Sequence, residues 1–253
     1  MSNEKYSVIV DGTRSPIVLK NSPLLGIRSD DLAAVIIKEL IERNPQISKE
    51  LVDDLVVGCA FPEGPQGMLM AKGISILAEL PTESAAKIVN RFCGSSMDAA
   101  HQVSQAVQSG DYECGIAAGV EDMFSVPMGG FNPSFNPTLY ENEYYIGMGE
   151  TAENLAQELD ISRDDQEAFA VHSHEKALAA ISTGRFDNEI VPIEFNGVTV
   201  SVDEGPREPD IDKMKSLNPA FDSEGTITAA TSSPISVGAS ALMLISSDLA
   251  SKI

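Results

Sequence analysis

The chain has 253 residues, 43% of them apolar, and a formal net charge of −21. That length and apolar content can fill a sizeable core, whereas the acidic balance argues against a polyanion binder, whose affinity comes from clustered Lys and Arg. No run nears the roughly 18 consecutive apolar residues of a spanning helix, the widely spaced Cys59, Cys93 and Cys114 form neither a disulfide framework nor a zinc spacing, and MSNEKYSVIVDG shows no leader pattern; the expectation is a cytoplasmic protein with free thiols, no metal, and neither nucleic acid nor membrane among its partners.

In chain order, Tyr6 to Asp11 alternates like a strand and ends at the Gly12 turn. Ser29 can cap a helix whose Leu32, Val35, Ile36 and Leu40 recur at helical spacing until Pro45. Leu55 to Phe61 reads as a buried strand, Met68 to Leu80 as a mostly apolar helix, and Lys87 to Asn90 as a short strand. Ser95 and Asp98 then have capping-box spacing for a helix bearing Met97, Ala100, Val103 and Val107, which Gly110 ends. Cys114 to Val120, small and apolar, suits a sheet covered on both faces. The first part is α/β.

From about Glu121 to Phe221 the texture changes. Met128 to Tyr145 is rich in Pro, Gly and Asn, which predicts a long irregular loop of the kind that often carries function. Ser162 and Asp165 cap a long amphipathic helix, with Phe169 and Ala170 on one face, running to near Gly184. Ile190 to Phe195 and Val198 to Val202 read as strands, followed by a polar segment with Arg207. Thr226 to Ser232 and Ala241 to Ser246 look like strands returning to the first sheet. The expected organisation is an α/β domain over 1–120 and 222–253, a βαβαβ mixed sheet covered by helices, with an inserted α+β loop subdomain over 121–221.

The stretch Val89-Asn90-Arg91-Phe92-Cys93-Gly94-Ser95-Ser96-Met97 combines a strand, a sharp turn at a cysteine and a helix start. Unpaired N–H groups and the positive dipole end there favour thiolate over thiol, as in a nucleophile elbow with Cys in place of Ser. Cys59 and Cys114, inside apolar strands, read as small buried hydrophobes. A partner base is harder to find. His101 lies roughly 8 to 10 Å further along the same helix, and His172 and His174 fall on different faces of theirs, reading as surface residues and not a metal pair.

VNRFCGSSMDAAHQV, followed by AAGVEDM, resembles the active-cysteine segment of the thiolase family, particularly the 3-ketoacyl-CoA type. DGTRSPI at 11–17, DDLAAVIIKELIERNP at 30–45, VDDLVVGCA at 52–60, MGETAENLA at 148–156, ISRDDQEAFAVHSHEKA at 161–177, GRFDNEIVPI at 184–193 and GTITAATSSPISVGASALMLIS at 225–246 follow in thiolase order. The resemblance covers essentially the whole chain. It implies a layered fold of two similar halves with a loop subdomain in the first. It further implies Cys93 as acyl acceptor, and Met148, Arg207, Leu217 and Ser233 as contacts to coenzyme A, the substrate, with no cofactor. Met148 and Leu217 could equally be packing residues, Arg207 a solvated charge and Ser233 a turn residue.

The family's second half carries an Asn-Glu-Ala-Phe motif, a Gly-His-Pro histidine and a second reactive cysteine, and none of these motifs occurs here. Gly147 stands where biosynthetic thiolases often have histidine, and Lys72 where many members have arginine. The expectation is thus an amino-terminal thiolase half for acyl transfer between 3-ketoacyl-CoA and coenzyme A, inactive alone, assembling as a homo-oligomer or with a partner carrying the other half. The alternative is a noncatalytic acyl-CoA-binding or subunit-interaction module.

Overall fold

Alternation along the strands decides which side chains meet which layer. The computed structural model describes residues 5–253. Strands β1 (Ser7–Arg14), β2 (Val52–Gly58), β3 (Ala85–Val89), β4 (Cys114–Asp122) and the late β7 (Val237–Ser246) form a five-stranded sheet in the order β1-β7-β4-β2-β3, while β5 (Ile193–Phe195) and β6 (Val198–Val200) make a separate hairpin. β2 runs parallel to β3 and β4, and β7 runs antiparallel to β4 and β1, with Ala118 opposite Ala241 and Ala241 opposite Thr13. This is a mixed α/β sheet of the expected class.

Helices α1 (Ser29–Glu42) and α2 (Met70–Leu77) cover one face. Leu32, Ile36, Ile37 and Leu40 of α1 are buried there against Cys114, Ile116 and Ala118 of β4 and Ala241, Met243 and Ile245 of β7. Truncating one such side chain to alanine costs about 2–5 kcal/mol. Thr13 Oγ1 adds a buried hydrogen bond to Ile36 O at 3.0 Å, which sets α1 against β1. The opposite face carries α3 (Ser95–Ser109), whose Ala99, Val103 and Val107 pack on Val56, Ala117 and Leu244. Gly110 ends α3 in the left-handed region at φ 87°, as expected from the sequence.

The chain forms two compact units. The first takes in the described residues up to Phe131 together with Asp187–Glu204 and Ile235–Ile253, and so includes the β5–β6 hairpin, which sequence placed with the insert. Arg14 binds this returning segment by donating to Glu189 at 2.7 Å and, through both terminal nitrogens, to the Asp203 carboxylate at 2.8 and 2.9 Å. The second unit, Asn132–Phe186 and Gly205–Pro234, holds α4 (Pro137–Glu141), α5 (Met148–Glu158), α6 (Arg163–Ser182) and α7 (Ile211–Ser216). A last turn, α8 (Ser247–Ala250), follows β7. Among the described residues no helix is long and apolar enough to cross a membrane.

Several local expectations need correction. Ser29 is the first residue of α1 and does not cap it: its hydroxyl donates instead to the buried Gln66 at 3.2 Å. Met68 and Leu69 have left-handed backbones, φ 53° and 52°, so α2 begins only at Met70. Thr226 to Ser232 is not a strand. Thr228 accepts from Ala230 N through its hydroxyl, and its carbonyl accepts from Thr231 N and Ser232 Oγ, a local turn that outcompetes pairing. Ser162 does cap α6, accepting from Asp165 N at 3.1 Å. The inner side of its first turn is polar, with Arg163, Gln166 and Glu167 turned in, and Phe169 is 75% exposed, while Ala170, Val171, Leu178 and Ile181 are half-buried further along.

Candidate active site

Two glycines let the helix that follows Cys93 approach the sheet. A Cβ on Gly58, the last residue of β2, would stand 2.4 Å from Ser96 N, and one on Gly119 of β4 would stand 1.8 Å from Ser96 Oγ. Only bare backbone at these two positions allows the first turn of α3 to rest on the sheet. Cys93 therefore sits just before a helix start, at the carboxyl ends of the parallel strands, and it is exposed.

The expected capping box at Ser95 and Asp98 is not formed. Gly94 occupies the cap position and its carbonyl accepts from Asp98 N at 2.9 Å. Ser95 is drawn inward: its hydroxyl accepts from Arg91 N at 2.8 Å and donates to Phe92 O at 2.6 Å. Asp98 instead pairs with Arg91 at 3.4 Å and accepts from Gln102 at 3.0 Å. The turn is thus stitched from within the segment 90–98.

The other two thiols are chemically silenced. Burial, reinforced by the neighbouring Glu121 carboxylate, pushes Cys59 up to about 12. Burial likewise pushes Cys114 up to about 12, with Asp53 adding to it. Glu121 itself accepts from Ala60 N at 2.6 Å and from Gln66 Nε2 at 2.8 Å, so it is committed to structure. Cys93 is left as the exposed thiol of the three.

The second unit contains a cavity of about 490 Å³. Its polar lining is Ser173, His174, Arg207, Ser232 and Ser233, and its apolar wall includes Ala177, Pro206, Phe221 and Ala230. A cationic and hydroxyl-bearing end beside an apolar wall suits a ligand with an anionic group and an apolar or aromatic body. The Phe221 ring lies against Gly149, where a Cβ would fall 2.1 Å from it. The Glu153 carboxylate of α5 accepts from Thr226 N and Ile227 N at 2.8–3.0 Å, which holds the strand of chain leading into the Ala229–Pro234 rim.

Of the sequence-predicted contacts, the structure brings Arg207 and Ser233 together in this lining. Met148, the first residue of α5 and 71% exposed, and Leu217, which follows α7, are not among the lining residues. Leu217 has a structural job, its carbonyl accepting from Arg163 at 2.8 Å. His174 was missed. It lines the cavity, and its Nδ1 accepts from Arg207 N at 3.3 Å. The signal was available, because His174 falls four residues after Ala170 and three before Ala177, one face of α6. His101 is exposed on α3, and His172 lies 3.8 Å from Glu175 on the surface.

The profile of the family described as "Thiolase, N-terminal domain" matches residues 7–248. A protein named 3-ketoacyl-CoA thiolase from Bacillus subtilis (strain 168) is 40% identical over 258 residues, covering 95% of this chain and 66% of the relative. One of the same name from Marinomonas sp. (strain MWYL1) is 41% identical over 261 residues, covering 99% of this chain and 66% of the relative. The chain therefore spans slightly less than two thirds of such relatives. With Cys93 in a turn between β3 and α3 and this match over nearly its whole length, the chain belongs to the thiolase family and carries its amino-terminal domain.

Proposed function

We propose that the chain supplies the nucleophile part of a thiolase that transfers acyl groups between 3-ketoacyl-CoA and coenzyme A through an acyl-cysteine at Cys93. The observation that carries the reading is the contrast among the thiols: Cys93 is exposed at a helix start, and the other two are buried. In the degradative direction the Cys93 thiolate adds to the keto carbon, and the tetrahedral oxyanion collapses with cleavage of the bond to the α-carbon. Protonation of that carbon gives acetyl-CoA. Coenzyme A thiolate then attacks the acyl-cysteine and releases the shortened acyl-CoA, a ping-pong sequence. The Cys93 N–H is the donor this chain would offer the oxyanion.

Arg207 and Ser233, in the cavity of the second unit, support coenzyme A as the substrate held there, and exposed Met148 and half-buried Leu217 are kept as outer contacts. Thiol activation and the remaining oxyanion donors are assigned to the second half of the family's fold, in the same polypeptide or a partner. The 253 residues alone are expected to be inactive in steady-state thiolysis. A second reading, an acyl-CoA-binding module without catalysis, draws on the presence of the cavity in a unit that contains no cysteine.

Intact mass and peptide mapping after exposure to acetyl-CoA or acetoacetyl-CoA test the two readings. An acetyl adduct confined to Cys93 and absent from Cys93→Ser supports the first. Saturable coenzyme A binding with no adduct supports the second.

A further inference from the structure

Phe92, which precedes the nucleophile, has a left-handed backbone at φ 45°, a conformation that a bulky side chain adopts only where its surroundings enforce it. Side chains take both of its backbone polar groups. Its N–H donates to Asn90 Oδ1 at 2.9 Å, and its carbonyl accepts from Ser95 Oγ at 2.6 Å and Ser95 N at 3.0 Å. Each arm is anchored elsewhere. Asn90 Nδ2 donates to Ala60 O at 2.8 Å, tying the turn to the chain leaving β2, and Ser95 Oγ accepts from Arg91 N at 2.8 Å. The Phe92 ring lies 6.0 Å from that of Phe61, on the same exit from β2.

A trans peptide is planar, with its C=O and N–H pointing in opposite directions. The Phe92 carbonyl and the Cys93 N–H belong to one such unit, so fixing the first fixes the second. We propose that Asn90 and Ser95 form a clamp on Phe92 that positions Cys93, setting the direction of its N–H and the approach line of its thiol. Neither residue touches the reacting atoms. The inference rests on the reading of Cys93 as acyl acceptor.

Two reactions of the same sulfur separate positioning from mere integrity of the fold. Alkylation by iodoacetamide forms an S–C bond with loss of iodide and builds no oxyanion. Acylation by p-nitrophenyl acetate passes through a tetrahedral oxyanion that collapses with loss of p-nitrophenolate, leaving acetyl-Cys93. An aimed N–H speeds only the second.

Both rates at Cys93 are to be measured by peptide mass on the full chain and on Asn90→Ala, Ser95→Ala and Asn90→Asp, with thermal melts alongside. Asn90→Ala and Ser95→Ala should each lower the ratio of acylation to alkylation about tenfold, the scale of a small misplacement of reacting groups. Asn90→Asp keeps an oxygen for the Phe92 N–H and should recover most of the ratio. An unchanged ratio in either folded alanine variant, or an equal fall in both rates, overturns the clamp. A parent chain that takes no acetyl group from acetyl-CoA counts against the acyl-acceptor reading of the isolated chain, while the ratio still decides the clamp.

Discussion

Ser96 Oγ lies 1.8 Å from the place a Cβ on Gly119 would occupy, so the helix that follows Cys93 rests directly on the backbone of β4. At Gly58 the obstacle is backbone, Ser96 N at 2.4 Å, which cannot rotate away. Gly58→Ala should therefore destabilise the chain by about 1–3 kcal/mol, the usual scale of overpacking. Gly119→Ala should cost less once Ser96→Ala removes the hydroxyl. Denaturant melts of the single and double variants check this, and additive losses at Gly119 and Ser96 would count against the contact.

The native chain should expose one fast-reacting thiol. Ellman titration is expected to consume a single equivalent under native conditions, lost in Cys93→Ser, and to reach three equivalents once the chain is unfolded, given Cys59, Cys93 and Cys114. Rapid reaction of a second thiol in the folded protein would contradict the burial of Cys59 and Cys114.

Alkaline solution should weaken the fold. Cys59 and Cys114 are pushed from an ordinary value of 9.0 up to about 12 by burial, and Tyr112 from 10.0 up to about 12 by burial and by its hydrogen bond to Asp54. The unfolded chain then sheds these protons before the folded one, so stability is intact below about pH 9 and falls as pH rises from there toward 12. Urea unfolding at a series of pH values should show this decline, with a shallower slope in Cys114→Ala. Tyr112→Phe should cost about 1–3 kcal/mol at neutral pH, because it removes the donor to a buried carboxylate whose other oxygen already has no partner.

Arg207→Ala should weaken coenzyme A binding about tenfold, the scale of one charge-assisted contact at a partly exposed site. His174→Leu should weaken it too by freeing the Arg207 backbone, whereas His174→Gln, which keeps an acceptor, should restore much of the affinity. Calorimetric titration measures all three. Unaltered affinity in Arg207→Ala would remove the cavity from the reading.

Sequence pattern revealed the sheet because its signal is local: Cys114–Asp122 is an almost continuously buried apolar run, as in a strand covered on both faces, and the run ending at Ser246 alternates in burial over its first half. The silent cysteines were legible for the same reason. Caps were less legible, since Ser29 and Ser95 have the right chemistry at nearly the right places, yet partners distant in sequence or geometry, Gln66 and Phe92, claim their hydroxyls. The cavity was legible only in part. Its lining comes from four separated stretches, and although helical spacing puts His174 on the face of Ala170 and Ala177, its contact with a backbone 33 residues away is not something periodicity reports.

The second unit is built with little grease. Among its described residues, Ala156, Met214 and Ile227 are the buried apolar side chains, whereas Arg163 is held by Glu167 at 2.7 Å and by the carbonyls of Met214 and Leu217. Heat-capacity change on unfolding follows apolar area exposed, and polar exposure subtracts from it. Per residue, the part of the chain carrying the cavity should thus contribute a small share of the heat-capacity step on unfolding. Its cohesion leans on hydrogen bonds and an ion pair, so added salt or urea should loosen it at concentrations that leave the packed sheet intact.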